Sequence, residues 1–153
     1  MKLWVDGKPG NAGSAIRATI KEQVTDINRK VVSRGVRAVN AMRNAELEVL
    51  KGKRSGKVYR KPFSKATYTA SAPGEAPARR TGNLRMHWNG QVKSENSSNG
   101  GVAIIAELES NEPYAGFLEH GVPKTNMAAR PFVDKIKEKA EPEIKKIYSE
   151  PYT

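Results

Sequence analysis

A long helical pattern near the amino terminus constrains the fold more than any other feature of this chain. Apolar side chains recur every three or four residues, which places them on one stripe of an α-helix. The stripe begins with Ile16, Ile20, Val24, Ile27 and Val31 and continues less regularly through Val32, Val36, Val39, Met42 and Val49. Ser14 is a candidate N-cap. The pattern predicts a helix over most of residues 14–50, about 55 Å long, with Gly35 as a position where it could kink or divide.

Most of the net charge lies in the segment that follows this helix. Residues 51–85 hold ten lysines and arginines against one acid, Glu75, so they carry +9 of the chain's +11. Gly52 and Gly56 are the predicted turn points of a basic loop or hairpin in residues 51–65. Residues 51–61 are predicted to form an exposed basic hairpin that lines a channel or meets an acidic partner. The cations of this predicted hairpin are Lys51, Lys53, Arg54, Lys57, Arg60 and Lys61.

Three aromatic residues are interleaved with the basic segment: Tyr59, Phe63 and Tyr68. They could stack on the bases of single-stranded nucleic acid. Alternatively, they alternate into the core of a sheet while the lysines and arginines face water, and we favour this second interpretation.

Shorter elements are predicted in the rest of the chain. Thr81 can cap a short helix, and two strands are expected around residues 88–93 and 102–108, joined by a turn rich in Asn and Gly. A helical turn should begin at Pro113 and end at Gly121.

The last predicted element is a carboxy-terminal amphipathic helix that starts at Pro131. Phe132, Ile136, Ala140, Ile144 and Ile147 form its apolar stripe. Pro142 interrupts the pattern and should bend this helix or begin a second piece.

The order of these elements indicates an α+β fold, in which a small antiparallel β-sheet with a basic hairpin carries helices on one face. Residues 1–13 are expected to form an arm, in which Trp4 docks on its own domain or on a neighbour. Residues 14–148 form a single domain of ordinary size, and residues 149–153 a tail.

The residue patterns typical of catalytic and ligand sites are missing from the sequence. The glycine spacing at residues 52–57 is one residue too short for a phosphate-binding loop, and Val58 stands where the Mg²⁺-binding hydroxyl is needed. His87 and His120 fit no metal-ligand spacing, and there is no cysteine. Glu119 beside His120 is better explained by a histidine at a helix end than by an acid/base pair. We therefore predict no enzymatic activity, no metal and no cofactor. No apolar run approaches the length of a membrane span, so no membrane partner is expected either.

Three stretches of the sequence together carry a resemblance to a known family. They are SAPGEAPARRTGNLR (residues 71–85), PYAGFLEHG (113–121) and MAARPF (127–132). In this order and at these separations they resemble the tail-completion and head–tail joining proteins of long-tailed bacteriophages, also called neck or minor tail proteins. The resemblance covers roughly residues 14–148.

The resemblance implies a non-catalytic virion protein, made in the bacterial cytoplasm and located at the neck of the particle. It implies a homo-oligomeric ring of six copies around the DNA channel, joining the head connector or stopper to the tail tube or tail terminator, with non-specific contact to DNA. The motif residues would have structural roles, and Arg130 could instead pair with Glu119, within the chain or across a subunit boundary. These residues are Gly82, Leu84, Tyr114, Leu118, Glu119, Gly121, Arg130, Pro131 and Phe132.

One alternative of a different class remains open. A monomeric basic nucleic-acid-binding protein would need only the charge and size of this chain, although the sequence contains no recognisable module for reading bases.

Overall fold

The fold is built on one continuous helix. The computed structural model describes residues 9–96 and 101–152, apart from the side chains of residues 9–12. Helix α1 spans Pro9–Val49, which corresponds to about 60 Å. It begins before the predicted cap at Ser14, and proline suits the first turn because the missing N–H has no helical partner there. Residues 9–13 therefore belong to the helix and not to an arm, whereas Trp4 lies outside the described residues.

Gly35 does not divide α1, contrary to one of the alternatives for this position. It is buried instead, where the helix meets a β-hairpin. A Cβ added to Gly35 would lie 2.9 Å from Val92 Cγ1 and 3.0 Å from Ile104 Cδ1. The glycine therefore permits close approach of helix and sheet.

The described strands form two separate antiparallel hairpins instead of one sheet. In the first, β1 (Val58–Arg60) pairs with β2 (Thr67–Thr69). In the second, β3 (Trp88–Asn96) pairs with β4 (Val102–Ser110) along their full lengths. The predicted turn between β3 and β4 includes residues 97–100, which lie outside the described residues.

The first hairpin turns at residues 61–66, so Gly52 and Gly56 are not the turn points of a hairpin, and this alternative was wrong. Both glycines lie in the loop that leads from α1 to β1. Gly56 donates its backbone N–H to Ala70 O at 2.9 Å. A Cβ at this position would lie 2.5 Å from the same oxygen, so the glycine serves backbone packing beside the hairpin.

Three further helices lie within the described residues: α2 (Asn83–Met86), α3 (Ala115–His120) and α4 (Val133–Ser149). A 3₁₀ turn spans Pro123–Thr125. Gly82 is the N-cap of α2, whereas Thr81, the predicted cap, accepts a side-chain hydrogen bond from Asn83 N–H at 3.3 Å. Gly121 ends α3, as predicted, with a φ of 73°.

Helix α4 differs from its prediction at two positions. It begins at Val133 with Phe132 as the N-cap residue, two positions after the predicted start at Pro131. Pro142 does not begin a second helical piece, since one helix continues to Ser149.

Helix α4 runs antiparallel to the carboxy-terminal half of α1. Lys139 pairs with Glu48 at 2.8 Å near one end of the contact, and Arg37 pairs with Glu150 at 2.6 Å near the other. The buried apolar residues are Ala38, Ala45, Leu50, Ala76, Phe132, Ile136, Ala140 and Ile147. The α+β class is thus confirmed, with the core between α1, α4 and the β3–β4 hairpin.

The predicted carboxy-terminal tail is docked on α1. The guanidinium of Arg34 lies 3.6 Å from the centroid of the Tyr152 ring. Lys30 Nζ donates to Tyr152 O at 2.8 Å, and Arg34 donates to Glu150 O. These contacts attach the residues after α4 to the middle of the long helix.

Candidate functional site: an arginine pocket, a basic hairpin and an exposed helix face

The three motifs that resemble the phage family are far apart in sequence but contiguous in the structure. Arg130 N–H donates to Leu118 O at 2.7 Å, which joins the third motif to the second. The Arg130 side chain donates to Ser71 Oγ and, at 3.2 Å, to Ser71 O, which joins the third motif to the first. The motifs therefore form one hydrogen-bonded unit.

Glu119 has a structural role within this unit. It does not pair with Arg130 within the described chain. Its Oε2 accepts hydrogen bonds from Phe132 N–H at 2.8 Å and Val133 N–H at 3.2 Å. A carboxylate at this position satisfies free N–H groups of the first turn of α4 and complements the helix dipole.

The first motif is held in place by the only acid of the basic segment, Glu75. Its carboxylate accepts hydrogen bonds from the Ser55 hydroxyl, from Ala72 N–H at 2.9 Å and from Ser55 N–H at 3.1 Å. These bonds, the Ser55 hydroxyl first among them, lower the pKa of Glu75 to about 2. The carboxylate therefore stays ionised and links two loops whose other charges repel each other.

A cavity of about 500 Å³ opens where the motif unit meets the first hairpin. We call it the arginine pocket, because four arginines from two different motifs line it. These arginines are Arg79, Arg80, Arg85 and Arg130. The apolar residues that line the cavity with them include Leu50, Tyr68, Leu84, Tyr114 and Leu118. Leu84, Tyr114, Leu118 and Arg130 had been assigned packing roles by resemblance; they also shape this cavity.

None of the four arginines forms an ion pair with a carboxylate of the described chain. Arg79 and Arg80 are exposed and make no hydrogen bond to any described residue. Arg85 donates to Leu47 O at 3.3 Å, and Arg130 donates to the hydroxyl of Ser71 and to backbone carbonyls. The described chain thus offers these arginines only neutral hydrogen-bond partners. Arg85 also acts through its charge on the buried Glu46, and the other three arginines remain available to an anion.

Beneath Arg85 lies a carboxylate that sequence analysis missed. Glu46 has 0% of its surface exposed, accepts a hydrogen bond from Arg43 Nη1 at Oε2, and has no partner at Oε1. Burial raises the pKa of Glu46 to about 7, although Arg43 and Arg85 act in the opposite direction. The sequence does place Glu46 on the packed face of α1, because it follows Met42 of the apolar stripe by four positions. Its burial could have been predicted from this spacing.

The predicted basic hairpin residues are mostly exposed, with one clear exception. Lys51, Lys53, Lys57 and Arg60 are exposed and Lys61 is half-buried. Arg54 instead turns inward and donates to Val49 O at 2.8 Å and to Pro77 O at 3.2 Å. Burial lowers the pKa of its guanidinium. Arg54 thus binds a terminal carbonyl of α1 and is not a surface cation.

The tip of the first hairpin carries an aromatic side chain that was expected in a sheet core. Phe63 is fully exposed, at 110% of the surface of a reference phenylalanine residue, and has a φ of 55°. This left-handed conformation is strained for a non-glycine residue, and such strain is often found at functional positions. Tyr59 and Tyr68 stack on each other, with ring centroids 5.9 Å apart. The core interpretation of the three aromatics was therefore wrong for Phe63 and for Tyr59, which is also exposed.

A third surface lies on the amino-terminal half of α1. Every residue from Gly13 to Ile27 is exposed, including the large apolar residues of the predicted stripe. We call residues 13–30 the protruding half of α1. The exposed fractions of Ile16, Ile20, Val24 and Ile27 lie between 44% and 54%.

Comparison with known proteins leaves these surfaces without a counterpart: no family model, curated protein or solved structure matches this chain. Within residues 9–96 and 101–152, no group of His, Asp and Glu side chains is arranged to hold a metal ion. No helix in the same part of the chain combines the length and apolarity needed to cross a membrane.

Proposed function

We propose that this chain is a non-enzymatic structural protein of a long-tailed bacteriophage that forms a ring of six copies at the head–tail junction. In the assembled virion the ring would join the head connector or stopper to the tail tube or tail terminator and surround the DNA channel. The observation that carries this proposal is the protruding half of α1, whose apolar stripe no described part of its own chain covers.

Exposed apolar stripes of this kind usually mark a contact with another protein. Soluble monomers rarely expose contiguous apolar patches of more than a few hundred Å². A closed ring requires head-to-tail contacts, in which one face of each subunit meets a different face of the next. The stripe on α1 would provide one of these two faces in every copy.

The exposed cations near the first hairpin support a position beside DNA. Lys51, Lys53, Lys57 and Arg60 are exposed, and contacts from such side chains to phosphate are independent of sequence and weaken with salt. A double substitution Lys53→Glu/Lys57→Glu should therefore reduce particle assembly or infectivity. Full infectivity would mean that these lysines only face solvent.

The experiment that tests the ring is to count copies in assembled necks by electron cryo-microscopy and to disrupt the stripe. Ile20→Glu/Val24→Glu should abolish incorporation into the neck. Ala18→Glu/Thr25→Glu is the matched control, because it adds the same charges to the opposite side of the same helix segment. A single copy in the neck, an isologous dimer, or equal effects of the two variants would contradict the proposal.

The second candidate is a monomeric nucleic-acid-binding protein, and Phe63 favours it. An exposed aromatic ring on a basic hairpin is suited to stacking on an unpaired base, which contributes about 1–3 kcal/mol per base. Salt-sensitive binding of single-stranded DNA by a monomer, lost on Phe63→Ala, would support this candidate. Unchanged binding by Phe63→Ala would argue against it.

A further inference from the structure

We propose that the arginine pocket binds an acidic peptide segment of a partner protein, one that combines carboxylates with at least one large apolar side chain. This inference goes beyond the ring and does not depend on it, because it rests on the chemistry of the pocket alone.

The charge of the pocket requires an anionic ligand. Four arginines line one cavity, and none of them forms an ion pair with a carboxylate of the described chain. Arg85 alone interacts with a carboxylate through its charge, that of the buried Glu46. Guanidinium groups form paired hydrogen bonds with carboxylates in a plane, and these are among the stronger polar contacts in proteins. Bringing carboxylates into the cavity would also relieve the mutual repulsion of the arginines.

The arginines differ in how they are held, which suits binding of a flexible chain. Arg130 and Arg85 are anchored by hydrogen bonds to Ser71, Ala128 and Leu47. Arg79 and Arg80 lie on the outer side and are free to adjust. Two fixed cations lower the entropic cost of binding, and two adjustable ones can follow the ligand.

The apolar lining indicates that charge is only part of what the pocket selects. Leu84, Leu118 and Tyr68 contribute side chains to the same cavity as the arginines. A volume of about 500 Å³ lies within the usual range of small-ligand sites. It can hold a short peptide segment, with an apolar side chain against the leucines and carboxylates at the arginines.

A nucleic acid strand fits this arrangement less well than a peptide does. Contacts to phosphates mostly come from exposed side chains that follow a backbone along a surface. The exposed cations on the loop and hairpin, Lys53, Lys57 and Arg60, have that character. The arginine pocket is instead a recess with an apolar lining, in which a phosphodiester offers nothing for the leucines to contact.

The test uses the full chain and three labelled probes in fluorescence anisotropy at one moderate ionic strength. The first is a hexapeptide of alternating glutamate and leucine, and the second replaces leucine with serine. The third is an oligothymidylate with the same number of negative charges. The glutamate–leucine peptide should bind roughly tenfold or more tightly than either of the others, which corresponds to a modest free-energy difference.

The matched variants locate the binding site. Arg79→Ala/Arg80→Ala removes two exposed cations that stabilise nothing in the described chain, and it should weaken peptide binding by roughly tenfold or more. Arg17→Ala/Arg29→Ala removes the same charge from the protruding half of α1 and should change the affinity by less than about twofold. Circular dichroism verifies that both variants are folded.

Each alternative outcome overturns the proposal in a recognisable way. Equal binding of the leucine and serine peptides would show a simple cationic patch. Tighter binding of the oligothymidylate, weakened by Arg79→Ala/Arg80→Ala, would show a phosphate site. Equal losses in the two variants, or no binding of the leucine peptide, would show that the pocket does not recognise such a segment. None of these results bears on whether the stripe of α1 forms a ring.

Discussion

The two halves of α1 belong to one helix but have opposite surroundings. In the protruding half, β-branched residues such as Ile20 and Val24 are exposed, whereas in residues 31–49 the buried positions include Gly35, Ala38 and Ala45. Small residues let a helix approach its neighbours closely, and large ones on a bare helix face need a partner from elsewhere. The period of the apolar residues therefore indicates that a helix face will be buried. The size of those residues helps to indicate whether the face packs within its own chain or against another one.

The largest effect should come from a phenylalanine on the packed side of this comparison. Phe132 is 1% exposed and meets Trp88 edge to face, with ring centroids 6.1 Å apart. Phe132→Ala should lower the free energy of unfolding by about 3–5 kcal/mol, because it leaves a cavity in the core. Phe63→Ala, the matched control at the exposed hairpin tip, should change it by less than about 0.5 kcal/mol. A loss below about 1 kcal/mol for Phe132→Ala in denaturant melts would place this side chain outside the core.

The buried carboxylate in the packed half should make stability depend on pH. The pKa of Glu46 is raised from an ordinary value of 4.5 to about 7 in the fold. The folded protein therefore binds the proton of this carboxyl more tightly than the unfolded chain does. The protonated Glu46 carboxyl therefore stabilises the fold fully below about pH 4.5. This stabilisation, up to about 3 kcal/mol, is lost as the pH rises through about 7. Urea melts should show stability falling from about pH 5 to about pH 8 in the native chain, and a smaller fall in Glu46→Gln. Parallel pH profiles for the two proteins would assign the proton to another group.

Two glycines in α1 sharpen the comparison within the helix. Gly35→Ala adds a methyl group against Val92 and Ile104 and should destabilise the fold by about 1 kcal/mol, since overpacking outweighs the gain in helix propensity. At Gly13 an added Cβ would have no atom within 4 Å. Gly13→Ala should therefore stabilise the helix by up to about 1 kcal/mol, seen as higher helix content and slower local hydrogen exchange. The same sign of effect at both positions would mean that the two halves of α1 are packed alike.

The smallest effect is expected on the bare face itself. Ile20→Ser/Val24→Ser should change the stability of the monomer, measured at low concentration, by less than about 1 kcal/mol, because neither side chain is buried within its own chain. A large loss in the monomer would reveal an intramolecular partner for the stripe and would remove the main support for the ring.

Much of the fold could be predicted from the sequence because its strongest signals are local. The period of α1 and the glycine at the end of α3 each depend on neighbours a few residues away. The errors came from long-range contacts. Whether Gly35 bends a helix or admits a sheet depends on Val92 and Ile104, which are distant in sequence.

The candidate site was less predictable for the same reason. The sequence located the basic segment and the three motifs, but not that Arg130 bonds to Ser71 or that Glu119 caps α4. Nor does charge alone show that Arg54 turns inward while Arg79 and Arg80 stay free. Whether an arginine turns inward depends on which backbone carbonyls lie within hydrogen-bond distance of its side chain. Those positions are known only once the chain is folded.

The docking of residues 150–152 on the middle of α1 has a consequence for the order of events during synthesis. The helix leaves the ribosome well before α4 and the residues that follow it, so the part of its packed face that meets α4 must wait for a partner made after both hairpins. Chains that form such distant contacts fold more slowly than chains held by local ones. During this interval Ala38, Ala45 and the stripe on the protruding half are all uncovered together. A nascent chain of this protein is therefore most vulnerable to aggregation and to proteases just before α4 emerges, and least so once Tyr152 reaches Arg34.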